Sequence, residues 1–152
     1  MKFSVFIALI FAAVFAQADA CVPSSTNCDY YSCIEKELQC GPQGYPVNFG
    51  QRLCERYLDH EASSSEALKR WYPQVRECLQ AVVAKLDSVR DCDDLRVQAF
   101  QKHFDCYVET DFCSLSWQDK FEVLRLAGVT ALSPLALSTS MQIEQYCLSH
   151  PK

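Results

Sequence analysis

Apolar positions recur at helical spacing over most of this chain, and polar or Gly/Pro-rich stretches separate the runs. The longest run is Leu68, Trp71, Tyr72, Val75, Leu79, Val82, Val83 and Leu86, whose offsets keep one stripe over about five helical turns. Pro73 lies inside that stripe, where a regular helix loses one backbone hydrogen bond at a cost of about 3 kcal/mol. The stripe nevertheless keeps its phase, so helix is predicted on both sides of Pro73, with a kink or break at the proline. Before it, Tyr31, Ile34 and Leu38 lie along one side of a short predicted helix that has Asp29 near its start as the candidate cap and carries Cys33 and Cys40. The glycines and prolines of 41–46 break that helix. Asn48 is the expected cap of the next, which runs through Leu53, Cys54, Tyr57 and Leu58, and the polar run from His60 to Ser65 is a loop ending in capping residues.

The second half reads the same way. Asp91, Asp93 and Asp94 open a helical pattern, where carboxylates accept free amide hydrogens, so they are read as capping residues rather than a calcium site. Leu95, Phe100, Phe104 and Tyr107 follow at spacings that a helix can use. Ser116 and Asp119 have capping-box spacing, with Asp where Glu or Gln is usual, and Trp117, Phe121 and Leu124 line a helix running up to Gly128. Ser133-Pro134 starts the last helix, with Ile143 and Tyr146 near its end. Strand-type alternation is not seen. The pattern predicts an all-α fold, a compact bundle of five or six helices, and its apolar stripes are read as core rather than as the lining of a lipid cavity.

The N-terminus changes the picture of compartment. Lys2 is followed by an apolar run from Val5 to Ala16, then by small-residue sites at Ala16-Gln17-Ala18 and Ala18-Asp19-Ala20. About a dozen apolar residues are too few to cross a hydrocarbon core of roughly 30 Å. Residues 1–20 are therefore read as a secretory signal peptide cleaved after Ala18 or Ala20, which places the protein outside the cell. An acylated Cys21 is disfavoured, because Asp19 stands where a lipoprotein carries a small residue. Residues 21–152 are expected to form a single helical domain. All ten cysteines fall in this part, and in an oxidising compartment five disulfides are the expectation. Cys78, Cys92, Cys106 and Cys113 step by multiples of seven, which would return an unbroken helix to nearly the same face. The net charge of −5, unchanged when Lys2 and Asp19 leave with the leader, argues against nucleic acid or an anionic membrane as partner.

No catalytic constellation is found. His60, His103 and His150 are far apart in the chain, and the cysteines are better placed in disulfides than as nucleophiles or metal ligands. His103-Phe104-Asp105-Cys106 resembles weakly the active-site helix of secreted phospholipases, but neither the Cys-Cys-x-x-His-Asp run nor a glycine-rich calcium loop is present. His103 is read as a structural residue. No metal or cofactor motif and no Asn-x-Ser/Thr sequon occurs.

The order Cys21, Cys28, Cys33, Cys40, Cys54, Cys78, Cys92, Cys106, Cys113, Cys147 resembles the cysteine framework of the stanniocalcins, a family of secreted hormones. The likeness covers the whole expected mature chain. It extends to the gaps DYYS, Cys54 to Cys78, Cys92 to Cys106, and YVETDF, while the segment from Cys40 to Cys54 is longer than in the family and those from Cys21 to Cys28 and from Cys78 to Cys92 are slightly shorter. Spacing alone does not choose among the many pairings that ten cysteines allow. The resemblance implies that Cys21 pairs with Cys33, Cys28 with Cys54, Cys40 with Cys92, Cys78 with Cys106, and Cys113 with Cys147. It also implies a non-enzymatic, hormone-like regulator that binds an extracellular protein target or receptor, in calcium or phosphate homeostasis. The family's covalent dimer uses a further cysteine, whereas here the tail runs from Cys147 to Lys152 without one, so a monomer is expected. The rival expectation is a helical, disulfide-rich extracellular carrier of a sterol or fatty acid, similar to elicitins.

Overall fold

The structure, a computed structural model, describes residues 21–128 and 132–150, so the expected signal peptide lies outside the described residues. Six α-helices follow in order: α1 (Asp29–Leu38), α2 (Arg52–Glu61), α3 (Glu66–Ala84), α4 (Cys92–Glu109), α5 (Trp117–Ala127) and α6 (Pro134–Ser149). A π-helical turn, Tyr45–Gln51, leads directly into α2, and a 3₁₀ turn, Phe112–Ser114, follows α4. Among the described residues there is no strand, and the fold is all-α, cross-linked by five disulfides.

Helix starts follow side-chain chemistry. Ser65, Asp91, Ser116 and Ser133 are N-caps, and each side-chain oxygen accepts from the backbone N–H three residues on. The long stripe forms α3, where Leu68, Trp71, Tyr72, Val75, Leu79 and Val83 are buried. The helix is continuous through Pro73. Burying one such side chain contributes about 1.5–3 kcal/mol, so two of the six offset the proline's cost. α3 packs on α2 and α4, and α4 packs on α6. One connected core runs through all of these elements.

Three expectations fail locally. Cys40 is not on the first helix: Gln39 takes a left-handed conformation (φ 53°) that ends α1, and its N–H bonds to the Glu35 carbonyl. Asp29 is the first residue of α1 rather than its cap, and its own N–H donates to Asn27 Oδ1. Asn48 is not a cap either, because it sits within the π-helical turn with its N–H on the Gly44 carbonyl, 2.8 Å away. The four spaced cysteines do not lie on one unbroken helix: Cys78 is on α3, Cys92 and Cys106 are on α4, and Cys113 is in the 3₁₀ turn, so the common face that the spacing allows applies only to Cys92 and Cys106.

Candidate functional site

α5 and α6 are held by different parts of the molecule, and a cleft opens between them. At the start of α5, Asp119 accepts a hydrogen bond of 2.7 Å from the hydroxyl of Ser65, the cap of α3. At its end, Arg56 of α2 donates to the carbonyls of Leu126 and Ala127 at 2.8 and 3.2 Å, meeting the negative end of the helix dipole. α6 is fastened instead to α4 and the turn after it. Cys147 is bonded to Cys113, Thr139 donates to the Phe100 carbonyl at 3.3 Å, and the Tyr146 ring meets Phe104 edge-on.

The cleft encloses about 320 Å³. Phe100, His103 and Tyr107 of α4 form its floor, Val123, Leu124 and Ala127 of α5 one wall, and Ala136, Thr139 and Ile143 of α6 the other. Phe49, Leu53 and Phe112 complete the lining. The lining is mostly apolar. Trp117, Phe121 and Leu124 stand at the mouth with 71%, 66% and 53% of their surface exposed. The reading of every apolar stripe as core therefore holds for α3 and fails for α5, whose buried side chains are Val123 and Leu126. Two charged residues line the cleft, Lys120 from α5 and Glu144 from α6. The Lys120 amino group lies 5.4 Å from the Trp117 ring centre and 5.6 Å from that of Phe112.

His103 is buried in the floor. Its Nε2 is 2.9 Å from the Tyr45 hydroxyl, and its ring packs on Phe49 and Phe100 with centroids 5.4 and 4.9 Å away. Burial disfavours the imidazolium and pushes the pKa down to about 3. The ring is neutral and bonded to a phenol, the environment of a structural histidine. His60 and His150 each bond through Nδ1 to a backbone carbonyl of their own helix, those of Arg56 and Tyr146.

The cysteines form the pairs Cys21–Cys33, Cys28–Cys54, Cys40–Cys92, Cys78–Cys106 and Cys113–Cys147, and no free thiol remains. These are the five pairs that the resemblance implies. The acidic cluster is occupied locally: Asp91 caps α4, Asp94 pairs with Arg90 and Asp93 with Arg96. Ligand-type atoms of Cys21, Cys33 and Glu37 lie within 4.8 Å of one another, but the two sulfurs are bonded together and offer no thiolate.

Sequence reasoning missed Arg76 and Gln80, which fasten the N-terminal segment to α3. Both are buried. Arg76 donates to the Ser25 carbonyl from Nε and Nη2 and pairs with Glu61 at 2.6 Å. The Gln80 amide donates to the carbonyls of Ser24 and Asn27 and accepts from the Ser24 N–H. Their signal is periodicity: with Tyr72 they form a row at intervals of four along the edge of the apolar stripe.

Among the described residues, no helix is long and apolar enough to cross a membrane. Compared with known proteins, the chain matches no protein-family model, no curated protein and no solved structure.

Proposed function

We propose that this protein is a secreted, non-enzymatic regulatory factor resembling the stanniocalcins, which acts by protein–protein contact in calcium or phosphate homeostasis. The observation that supports this reading most is the disulfide pairing. All five bridges coincide with those the resemblance implies, one choice among the many that ten cysteines allow. Five bridges also fit an oxidising compartment and hence export. The test is saturable binding of labelled mature protein to an extracellular or cell-surface protein of its own source. Binding competed by unlabelled protein, abolished by reduction and accompanied by altered calcium or phosphate uptake is expected. Absence of any saturable site overturns the reading.

The cleft favours a second reading, an extracellular carrier of a sterol or fatty acid. A mostly apolar cavity with a few polar groups at its edge is the usual form of a small-molecule site. Organic extraction of the purified protein followed by mass spectrometry tests it: a stoichiometric lipid is the expected result, and an empty extract counts against it.

A further inference from the structure

The cleft between α5 and α6 combines three features that together specify a ligand chemistry. Its volume of about 320 Å³ lies at the small end of the roughly 300–1,000 Å³ typical of small-molecule sites, which suits one extended chain better than a fused-ring sterol. Its mouth carries Trp117, Phe121 and Leu124 on one face of α5, exposed where a solvated helix would present polar residues. Between the first two in sequence stands Lys120, whose amino group is placed by the rings of Trp117 and Phe112. Phe112 is itself buried and lines the cleft, so the positive charge sits at the entrance to the apolar space. No carboxylate of the described residues lies within 4.0 Å of the Lys120 amino group, and no side-chain acceptor engages it, so its donors are free for a ligand.

We infer that this cleft binds a single-chain amphiphile with an anionic head, of the fatty-carboxylate class, the chain lying over Phe100 and Ile143 and the carboxylate held by Lys120. The inference rests on the carrier reading and names its ligand class and its anchor. An anionic head gains a charge-assisted bond from Lys120 that a sterol or alcohol hydroxyl does not match. Glu144, the other charge on the lining, belongs to the opposite wall and lacks the aromatic contacts that place Lys120 at the mouth.

Calorimetric titration of the disulfide-intact mature protein with dodecanoate, 1-dodecanol and dodecylamine, each below its micellar concentration, tests this. One dodecanoate per chain is expected, bound about tenfold or more tightly than the alcohol. Lys120→Gln should erase that preference, Lys120→Arg should keep it, and Ser140→Trp, which fills the cleft, should weaken both ligands. Equal affinity for acid and alcohol with no effect of Lys120→Gln overturns the anionic anchor and leaves the carrier reading standing. Tightest binding of the amine also overturns the anchor and points to Glu144. Binding of none of the three overturns both. So does co-sedimentation with phosphatidylcholine vesicles, or a dimer in ultracentrifugation, if dodecanoate binding is absent, because the stripe then serves a lipid surface or a second copy.

Discussion

Neutral burial of His103 makes stability depend on pH in a defined direction. In the unfolded chain an imidazole takes up its proton near pH 6.5, whereas in the folded protein burial delays protonation to about pH 3. Below pH 6.5 the unfolded state thus binds a proton that the folded state does not, and stability falls as the pH drops through the window between the two values. The slope is about 1.4 kcal/mol per pH unit well inside that window, so the loss between pH 7 and pH 5 is about 2 kcal/mol. Urea unfolding of His103→Leu at those two pH values should show most of that difference gone; a variant with the wild-type pH dependence would mean that His103 is not buried neutral. Gln80 acts at the same scale without a charge. Gln80→Ala leaves the carbonyls of Ser24 and Asn27 short of a donor, and a loss of about 1–3 kcal/mol is expected. Faster hydrogen exchange at the Ser24 amide, which donates to Gln80, should accompany it, and unchanged protection there would contradict the role.

At the scale of elements, the π-helical turn and α5 are where local pattern and tertiary structure part. The turn places Tyr45 and Phe49 side by side, ring centres 5.9 Å apart, with both rings against Phe100. Gly50 then lets the chain pass against the Tyr31 ring, into which a Cβ would run. Gly50→Ala should therefore destabilise the protein by about 1–3 kcal/mol through overpacking, read as a lower thermal midpoint; a neutral effect would show that the ring yields freely. None of this was legible in 41–51, because the two glycines and two prolines of 41–46 announce a break but not the geometry after it, and Asn48 has the chemistry of a cap without the position of one. Ser65, Asp91, Ser116 and Ser133 were legible because a cap depends only on the next few residues. α3 was legible for a related reason: its stripe is wide enough to be buried by α2 and α4 together. α5 has a stripe just as regular, but its neighbours cover only the Val123 and Leu126 side, and which side a neighbour covers is a tertiary fact. The cleft was thus visible in the sequence only as residues assigned to the core.

For the whole molecule, the disulfides set how the folded state is secured, and their loop lengths rank them. Cys40–Cys92 spans 52 positions and ties the end of α1 to the start of α4, across the whole of α2 and α3. Cys21–Cys33 spans 12 and ties the first described residue to α1. If a bridge acts by restricting the unfolded chain, closing the longer loop contributes about 4 kcal/mol and the shorter about 3. The pair Cys40→Ser with Cys92→Ser should then lower stability by about 1 kcal/mol more than Cys21→Ser with Cys33→Ser, measured by denaturant unfolding at one pH. The native bridges must be in place for the comparison to mean anything. Intact mass under denaturing, non-reducing conditions should therefore show ten hydrogens fewer than the fully reduced chain, and alkylation should find no thiol. The same pairing leaves no cysteine for a bridge between chains, so a non-reducing gel should show the monomer alone. A band of twice that mass that collapses on reduction would require at least one of the five intramolecular bonds to be broken. The reverse ranking, with the short bridge costing more than the long one, would mean that strain or native contacts near Cys21 outweigh chain entropy. The polar ties of Arg76 and Gln80 to Ser24, Ser25 and Asn27 are the contacts to examine in that case, because they hold the same segment without any covalent bond.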